Sequence, residues 1–411
     1  MVILKIKKFL PFILSLSVLI ITVSICSIND IKSPTINSDI GLNSVTNSST
    51  ADIAKSSEEM RGIWISYIEL SMENEIDKSE NRFTEKFEGI AENCKNFGFN
   101  TLIVQVRPFC DALYKSELFP WSHILTGNQG ENPNYDPLEI MCRICNEKGL
   151  YIHAWINPYR ISMNKTPQTL SDYNPYVLYN EIGLKTDSTV IFNPSSENAR
   201  KLIINGIEEI IKNYDVDGIQ FDDYFYPEDI NDLDKEDYQD YIKTVGDNNS
   251  LTLDNWRKAN VNMLICETYR KIHSISNDVV FGVSPQGNID NNENLYADVI
   301  SWCTYKGFID YICPQIYFST KNPALTFEDS LKSWTELEFD KDVKLYVGLG
   351  GYKAGSEEDN GTWLNSDSIL SDEYEILKSN KKVSGFMLYS YASLYTEQTF
   401  AEMSNLKEKL N

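Results

Sequence analysis

From Arg61 onward, short apolar runs alternate with longer segments whose apolar residues recur every three or four positions. The runs are Gly62–Tyr67, Thr101–Arg107, Leu150–Asn157, Asp217–Asp223, Val279–Pro285, Asp310–Tyr317, Val343–Leu349 and Ser384–Tyr391. Each reads as a strand. The segments between them carry helix-end signals: Thr84 to Phe97 stops at Gly98, while Asp136 caps a helix that has Pro137 at its first position and Gly149 past its end. Ser195 or Ser196 opens a helix through Tyr214 with apolar positions at Leu202, Ile203, Ile207, Ile210 and Ile211. Asp254 opens another through Ile272, and Asn294–Tyr305, Phe327–Leu337, Ser366–Leu377 and Thr396–Leu410 supply the rest. Strand and helix in regular alternation predict an α/β fold, a (β/α)₈ TIM barrel in a single domain over residues 60–411. A doubly wound sheet is the competing arrangement, but no glycine-rich phosphate loop follows the first run. The longest connections follow the third and fourth runs, as expected of enlarged loops at a catalytic face.

Met1 to Cys26 breaks this pattern. Lys5, Lys7 and Lys8 precede a mostly apolar stretch, Phe9 to Val23, so residues 1–26 read as a signal peptide or membrane anchor. Cleavage near Ser24-Ile25-Cys26, lipidation of Cys26 and retention as an anchor are three fates with one consequence. Each places the remainder at the cell surface or outside the cell, and membrane contact arises only through this segment. Residues 27–59, rich in Ser, Asn and Thr without a period, read as a flexible tether.

Composition narrows the chemistry. The chain has 37 Lys and Arg against 60 Asp and Glu, a formal charge of −23, which excludes a nucleic-acid partner. Its 24 Tyr, 18 Phe and 7 Trp suit a polysaccharide partner, on whose sugar faces rings stack. The 8 Cys are too dispersed for a disulfide framework. Cys142 and Cys145 have no partner pair, and His123, His153 and His273 form no His-x-x-x-His motif. No metal and no cofactor is expected. The acidic stretch Glu228 to Asp247 lacks the calcium-loop pattern and reads as a solvated insertion.

Alternation along a strand decides which residues face a barrel's interior. One face gathers Gln105 and Arg107 in the second run, His153, Trp155 and Asn157 in the third, and Gln220, Asp222 and Tyr224 in the fourth. Gln315 and Tyr317 follow in the sixth, and Gly385, Met387, Tyr389 and Tyr391 in the last. A purely structural barrel would fill that layer with Val, Ile and Leu. Polar groups at the C-terminal strand ends therefore predict a site at the top of the barrel. Its centre is Asp222-Asp223, where one acid faces the axis and the other the wall. Glycoside cleavage needs a carboxylate as nucleophile or base and a second group as acid. Asp222 fits the first role, and Asp223 and Asp111 are the further catalytic candidates, with Glu69 and Glu228 behind them. Arg107 is placed to clamp a carboxylate or orient Asp222. His153 is placed to meet a sugar hydroxyl or carry a proton. Trp121, Trp155, Tyr224, Tyr226 and Tyr317 are candidates for stacking on sugar rings.

The ordered motifs resemble the glycosyl hydrolase-like 10 family of exported bacterial barrel proteins. The resemblance runs from Met60-Arg-Gly-Ile-Trp64 through Gln105-Val-Arg-Pro108, Asp111-Ala-Leu-Tyr114, His153-Ala-Trp155 and Asn157-Pro-Tyr-Arg160. It continues through Phe221-Asp-Asp-Tyr-Phe-Tyr-Pro227, Gly282-Val-Ser-Pro285 and Pro314-Gln-Ile-Tyr317 to about Tyr391. It implies a glycoside hydrolase of peptidoglycan strands stripped of stem peptides. It also implies that Arg107, His153, Trp155, Asn157, Tyr159, Arg160, Gln220, Tyr224, Tyr226, Gln315 and Tyr317 surround the substrate. By similarity to amylase-type barrels, Asp222 takes the nucleophile position. Set against chitinase-type barrels, Tyr224 stands where an acid Glu would be. Two residues depart from the family pattern: Gln220 where His is common, and Gln286 where Phe usually follows Ser284-Pro285. A glycan-binding barrel without catalysis and a hydrolase of an exopolysaccharide are the alternatives. Release of new reducing ends separates the binder, and a substrate panel separates the second hydrolase.

Overall fold

The computed structural model describes residues 59–364 and 366–411. The leader and nearly all of the tether lie outside the described residues. Eight parallel strands close into a barrel: β1 (Met60–Ile65), β2 (Thr101–Arg107), β3 (Tyr151–Ile156), β7 (Gly218–Phe221), β8 (Val280–Val283), β9 (Tyr311–Ile312), β10 (Lys344–Leu349) and β11 (Val383–Leu388). Every one falls within, or overlaps, an apolar run of the sequence. Buried on both faces, such strands have to be apolar almost throughout, which is why they stand out. The helices pack outside. In the helix Glu197–Asn213, Ala199, Ile203, Ile204, Ile207 and Ile210 are buried at helical spacing, and each isoleucine contributes about 2 kcal/mol by leaving water. No helix among the described residues is long and apolar enough to cross a membrane.

Two features differ from the expected elements. The connection after β3 folds into a small antiparallel sheet of β4 (Arg160–Met163), β6 (Thr189–Phe192) and β5 (Gly183–Lys185), whose strands are too short to leave a periodic signal. The helix expected over Asn294–Tyr305 is two pieces, a 3₁₀ segment Ile289–Leu295 and a helix Val299–Thr304. Tyr296 ends the first with φ 55°, and the Asp298 side chain caps the second by accepting from the Ser301 amide. The acidic insertion carries an eleven-residue helix, Lys235–Val245, with no buried residue.

Inside the barrel, large side chains fill space that glycines leave. Met60, Trp64, Ile103, Trp155, Val280, Tyr311, Cys313, Tyr346 and Met387 form one buried cluster. A Cβ on Gly218 would come within 2.8 Å of the His153 ring, and one on Gly282 within 2.0 Å of the Tyr311 ring. The interior is a packed plug, and the site sits on top of it.

Candidate active site

The uppermost layer of the plug is a hydrogen-bonded chain. Trp64 Nε1 donates to Gln220 Oε1 at 2.6 Å, Gln220 Nε2 donates to the Tyr311 hydroxyl at 3.1 Å, and that hydroxyl meets His153 Nδ1 at 3.0 Å. With the amide donating to its oxygen, Tyr311 is left to donate to His153. Burial depresses the His153 pKa to about 3, so its imidazole is neutral at physiological pH. The expectation that His153 and Gln220 meet the substrate is thereby corrected. Both face the axis, but below the layer that holds Asp222.

One layer higher stands Asp222, 5% exposed. Its Oδ2 accepts from Trp155 Nε1 at 2.9 Å and from Asn157 Nδ2 at 3.0 Å, and its Oδ1 accepts from the Tyr224 amide at 3.3 Å. Burial raises its pKa to about 7 against the lowering pull of the Arg160 charge; the Asp223 charge adds to the rise. Asp223 points to the adjoining wall. Gln286 Nε2 donates to its Oδ2, and Gln315 Nε2 donates to its Oδ1 at 3.2 Å while also reaching the Ser284 carbonyl at 3.0 Å. Burial raises the Asp223 carboxyl as well. Adjacent carboxyls are thus held by separate sets of donors.

These acids lie in a groove of about 400 Å³ lined by Trp64, Trp155, Tyr224, Tyr317, Tyr352, Tyr389, Gln286, Gln315 and Lys353, among others. Tyr317 and Tyr389 stack with centroids 5.9 Å apart, and the Tyr224 ring is 47% exposed. Tyr352 and Lys353, from the turn after β10, gave no signal beyond an aromatic following a strand. Gln286 was visible only as a departure from the family pattern.

Several expected residues stand elsewhere. The β2–β3 register shifts between Gln105 and Arg107, and such an irregularity re-aims the side chain that follows it. Arg107 accordingly turns into the wall over Phe119, where its Nη2 donates to the carbonyls of Asn157 at 3.3 Å and Pro158 at 3.1 Å. It holds the loop that carries Asn157 and contacts neither substrate groove nor Asp222. Asp111 is fully buried and bonds Gln129 at 3.1 Å and His123 at 3.4 Å. Those two partners line a separate polar hollow of about 600 Å³, so Asp111 does not complete the pair. Glu69 accepts from Ser390 Oγ at 2.7 Å and the Ala392 amide at 2.6 Å, tying two loops together. Glu228 is exposed at the rim of a neighbouring hollow. Tyr159 is buried edge-on to Phe225, and Tyr226 is buried against Tyr296 and the Arg257 guanidinium. Neither ring is available to a sugar. Trp121 is half-buried against the core.

A closed barrel with paired carboxyls at the C-terminal end of its strands, set in an aromatic groove, defines the molecule as a TIM-barrel glycoside hydrolase. The chain belongs to the glycosyl hydrolase-like 10 family, whose model matches residues 59–365. It is similar to the glycosyl hydrolase YngK of Bacillus subtilis (strain 168), with 34% identity over 362 residues covering 83% of this chain and 70% of that one. It is also similar to the glycosyl hydrolase DigH of Escherichia coli (strain K12), with 29% identity over 397 residues covering 87% of this chain and 89% of that one. Among solved structures, the fold matches the PgaB (BpsB) glycoside hydrolase domain of Bordetella bronchiseptica, with a TM-score of 0.56, 12% identity and coverage of 86% of this chain and 99% of that one. It also matches an alpha-amylase of Geobacillus thermoleovorans, with a TM-score of 0.52, 9% identity and coverage of 86% and 78% respectively.

Proposed function

We propose that this hydrolase cleaves cell-wall glycan, with peptidoglycan strands stripped of their stem peptides as substrate. Asp222 acts as nucleophile or general base and Asp223 as the acid. The observation that carries the reading is the pair itself: two adjacent carboxyls, separately held, at the floor of an aromatic groove. Three donors on Asp222 fix its orientation before substrate arrives, so no reorganisation is needed as bond-making begins. Asp223, raised by burial, retains a proton more readily than an ordinary carboxyl and can give it to the leaving oxygen. The family resemblance supplies the substrate class. The basic and apolar residues of Met1 to Cys26 support a location outside the cytoplasm, where that substrate is.

The test is hydrolysis of purified peptidoglycan, intact and stripped, with products read by mass spectrometry. New reducing ends from stripped strands are expected. Retention of glycan without new ends would make the protein a glycan binder. Cleavage of an exopolysaccharide alone would move the substrate away from the wall.

The pH profile follows from the site. Only the ionised Asp222 is a nucleophile or base, and its folded-state pKa is about 7. The kcat/KM of the free enzyme is therefore expected to be bell-shaped, rising as the pair loses its first proton and falling as it loses its second, with one limb near 7. A profile with no limb near 7 would remove Asp222 from the pair.

A further inference from the structure

We propose that Arg160 reads a carboxylate carried by the glycan, and that this contact makes stripped strands the preferred substrate. The inference rests on the peptidoglycan reading above and adds to it the group that is recognised. Arg160 opens β4 just beyond the site. Its backbone amide donates to Asn157 Oδ1 at 3.0 Å, and the same Asn157 side chain donates to Asp222. The arginine is thus fixed in register with the carboxylate pair. Its Nε donates to the Pro108 carbonyl at 2.8 Å, and its guanidinium lies between two rings, 4.8 Å from the Phe109 centroid and 5.0 Å from that of Tyr224. These contacts hold the plane of the group in place.

The residue is only 8% exposed. Among the described residues, neither of its Nη atoms has a hydrogen-bond or ion-pair partner. Neither belongs to the fully buried polar atoms that lack a partner, so both open to solvent and can exchange it for an acceptor on a ligand. It lines a hollow of about 280 Å³ whose wall of Asp223, Tyr224 and Gln286 is shared with the catalytic groove. The Arg160 charge acts on Asp222 and Asp223, lowering both against burial, but among the described residues it makes no direct ion pair. The other cation lining these two spaces, Lys353, pairs with Asp359 at 3.0 Å and Glu358 at 3.8 Å. With a formal charge of −23, the protein's overall field repels a polyanion, so recognition of an anionic sugar has to be local.

A planar fork of two N–H donors matches a planar two-oxygen acceptor, which is a carboxylate. In a strand stripped of its peptides, each lactyl ether ends in a free carboxylate. In an intact strand that carbon is an amide. Arg160 therefore favours the stripped form chemically, apart from any steric effect of the peptide.

The experiment compares stripped strands, the same strands with their carboxylates converted to carboxamides, and hyaluronan, whose carboxylate sits on a ring carbon. Two readouts are kcat/KM and binding by calorimetry to the inactive Asp222→Asn chain. The wild-type enzyme is expected to prefer free over amidated strands by at least about tenfold, through KM. Arg160→Gln brings that ratio toward one, and Arg160→Lys, with charge but no fork, falls between. The comparison of the two strand forms on wild-type protein needs no variant to fold. Equal cleavage of both forms, or a ratio unchanged in Arg160→Gln, overturns the inference and leaves the hydrolase reading intact. Tenfold preference in binding without cleavage keeps the inference and sinks the cleavage reading. Stronger binding of hyaluronan than of stripped strands overturns the lactyl assignment. Neither cleavage nor binding of either strand overturns both.

Discussion

Replacing Asp222 with Asn is expected to lower hydrolysis by about a thousandfold or more and to make the fold less sensitive to rising pH. The first effect follows from the loss of a carboxylate that attacks or takes a proton. The second follows from burial. The carboxyl has an ordinary value of 3.8 and a folded value of about 7. Between those limits the folded chain holds a proton that the unfolded chain has released. The protonated form's contribution is full below 3.8 and is lost as pH rises through about 7. Above that point the ionised, buried group costs up to about 4 kcal/mol relative to a neutral one. Asn is a neutral group of the same shape at every pH, but its NH2 cannot accept, so with its oxygen toward Trp155 and Asn157 it loses the bond from the Tyr224 amide. That loss does not vary with pH, so the urea midpoint of the variant should gain on that of wild type between about pH 4 and pH 8. A difference between the two midpoints that stays the same at both values would show that burial does not perturb Asp222. Activity within tenfold of wild type would show that Asp222 is not the nucleophile or base.

The barrel was legible because its strands are buried on both faces and so stand out as apolar runs. Polar residues at alternate positions near their ends were legible for the opposite reason: nothing structural requires them there. Alternation tells which face a residue takes but not how deep it lies. Trp155 pairs in register with Gln220, so Asn157 and Asp222 lie one layer above them, and His153 lies below. Counting from the paired residues would have set Gln220 and His153 apart from Asp222. Other misplacements come from chain reversals that leave no period. Leu113 bonds back to Val106, and Ala112 bridges to Trp121, which carries Asp111 away from the groove despite its nearness in sequence to Arg107. Tyr159 and Arg160 are neighbours across the start of β4, so one enters the core while the other faces the site. Asp223 was hardest to interpret. Its partners Gln286 and Gln315 come from two other strand ends, joined by a bridge between those residues, and only the closed sheet brings them together.

The plug beneath the site sets the second large effect. Gly282→Ala is expected to destabilise the protein by about 3 kcal/mol or more, the upper range for an overpacked core. The added Cβ would lie 2.0 Å from the Tyr311 ring, and Tyr311 is buried with its hydroxyl bonded to both His153 and Gln220. The ring has no solvent-facing direction in which to retreat. Moving it breaks the chain of bonds that runs through Gln220 to Trp64, and Trp64 lines the groove. Activity should therefore fall together with stability, even though Gly282 meets no substrate. The control is Gly89→Ala, the same exchange in the helix Glu80–Phe97, where nothing lies within 4 Å of the new Cβ. There the change should stabilise by up to about 1 kcal/mol, because alanine gives up less backbone freedom in a helix. Opposite signs for one substitution at two sites would tie the loss to the filled space over Tyr311. A Gly282→Ala chain that melts and cleaves like wild type would mean that the interior layer has room the packing does not show.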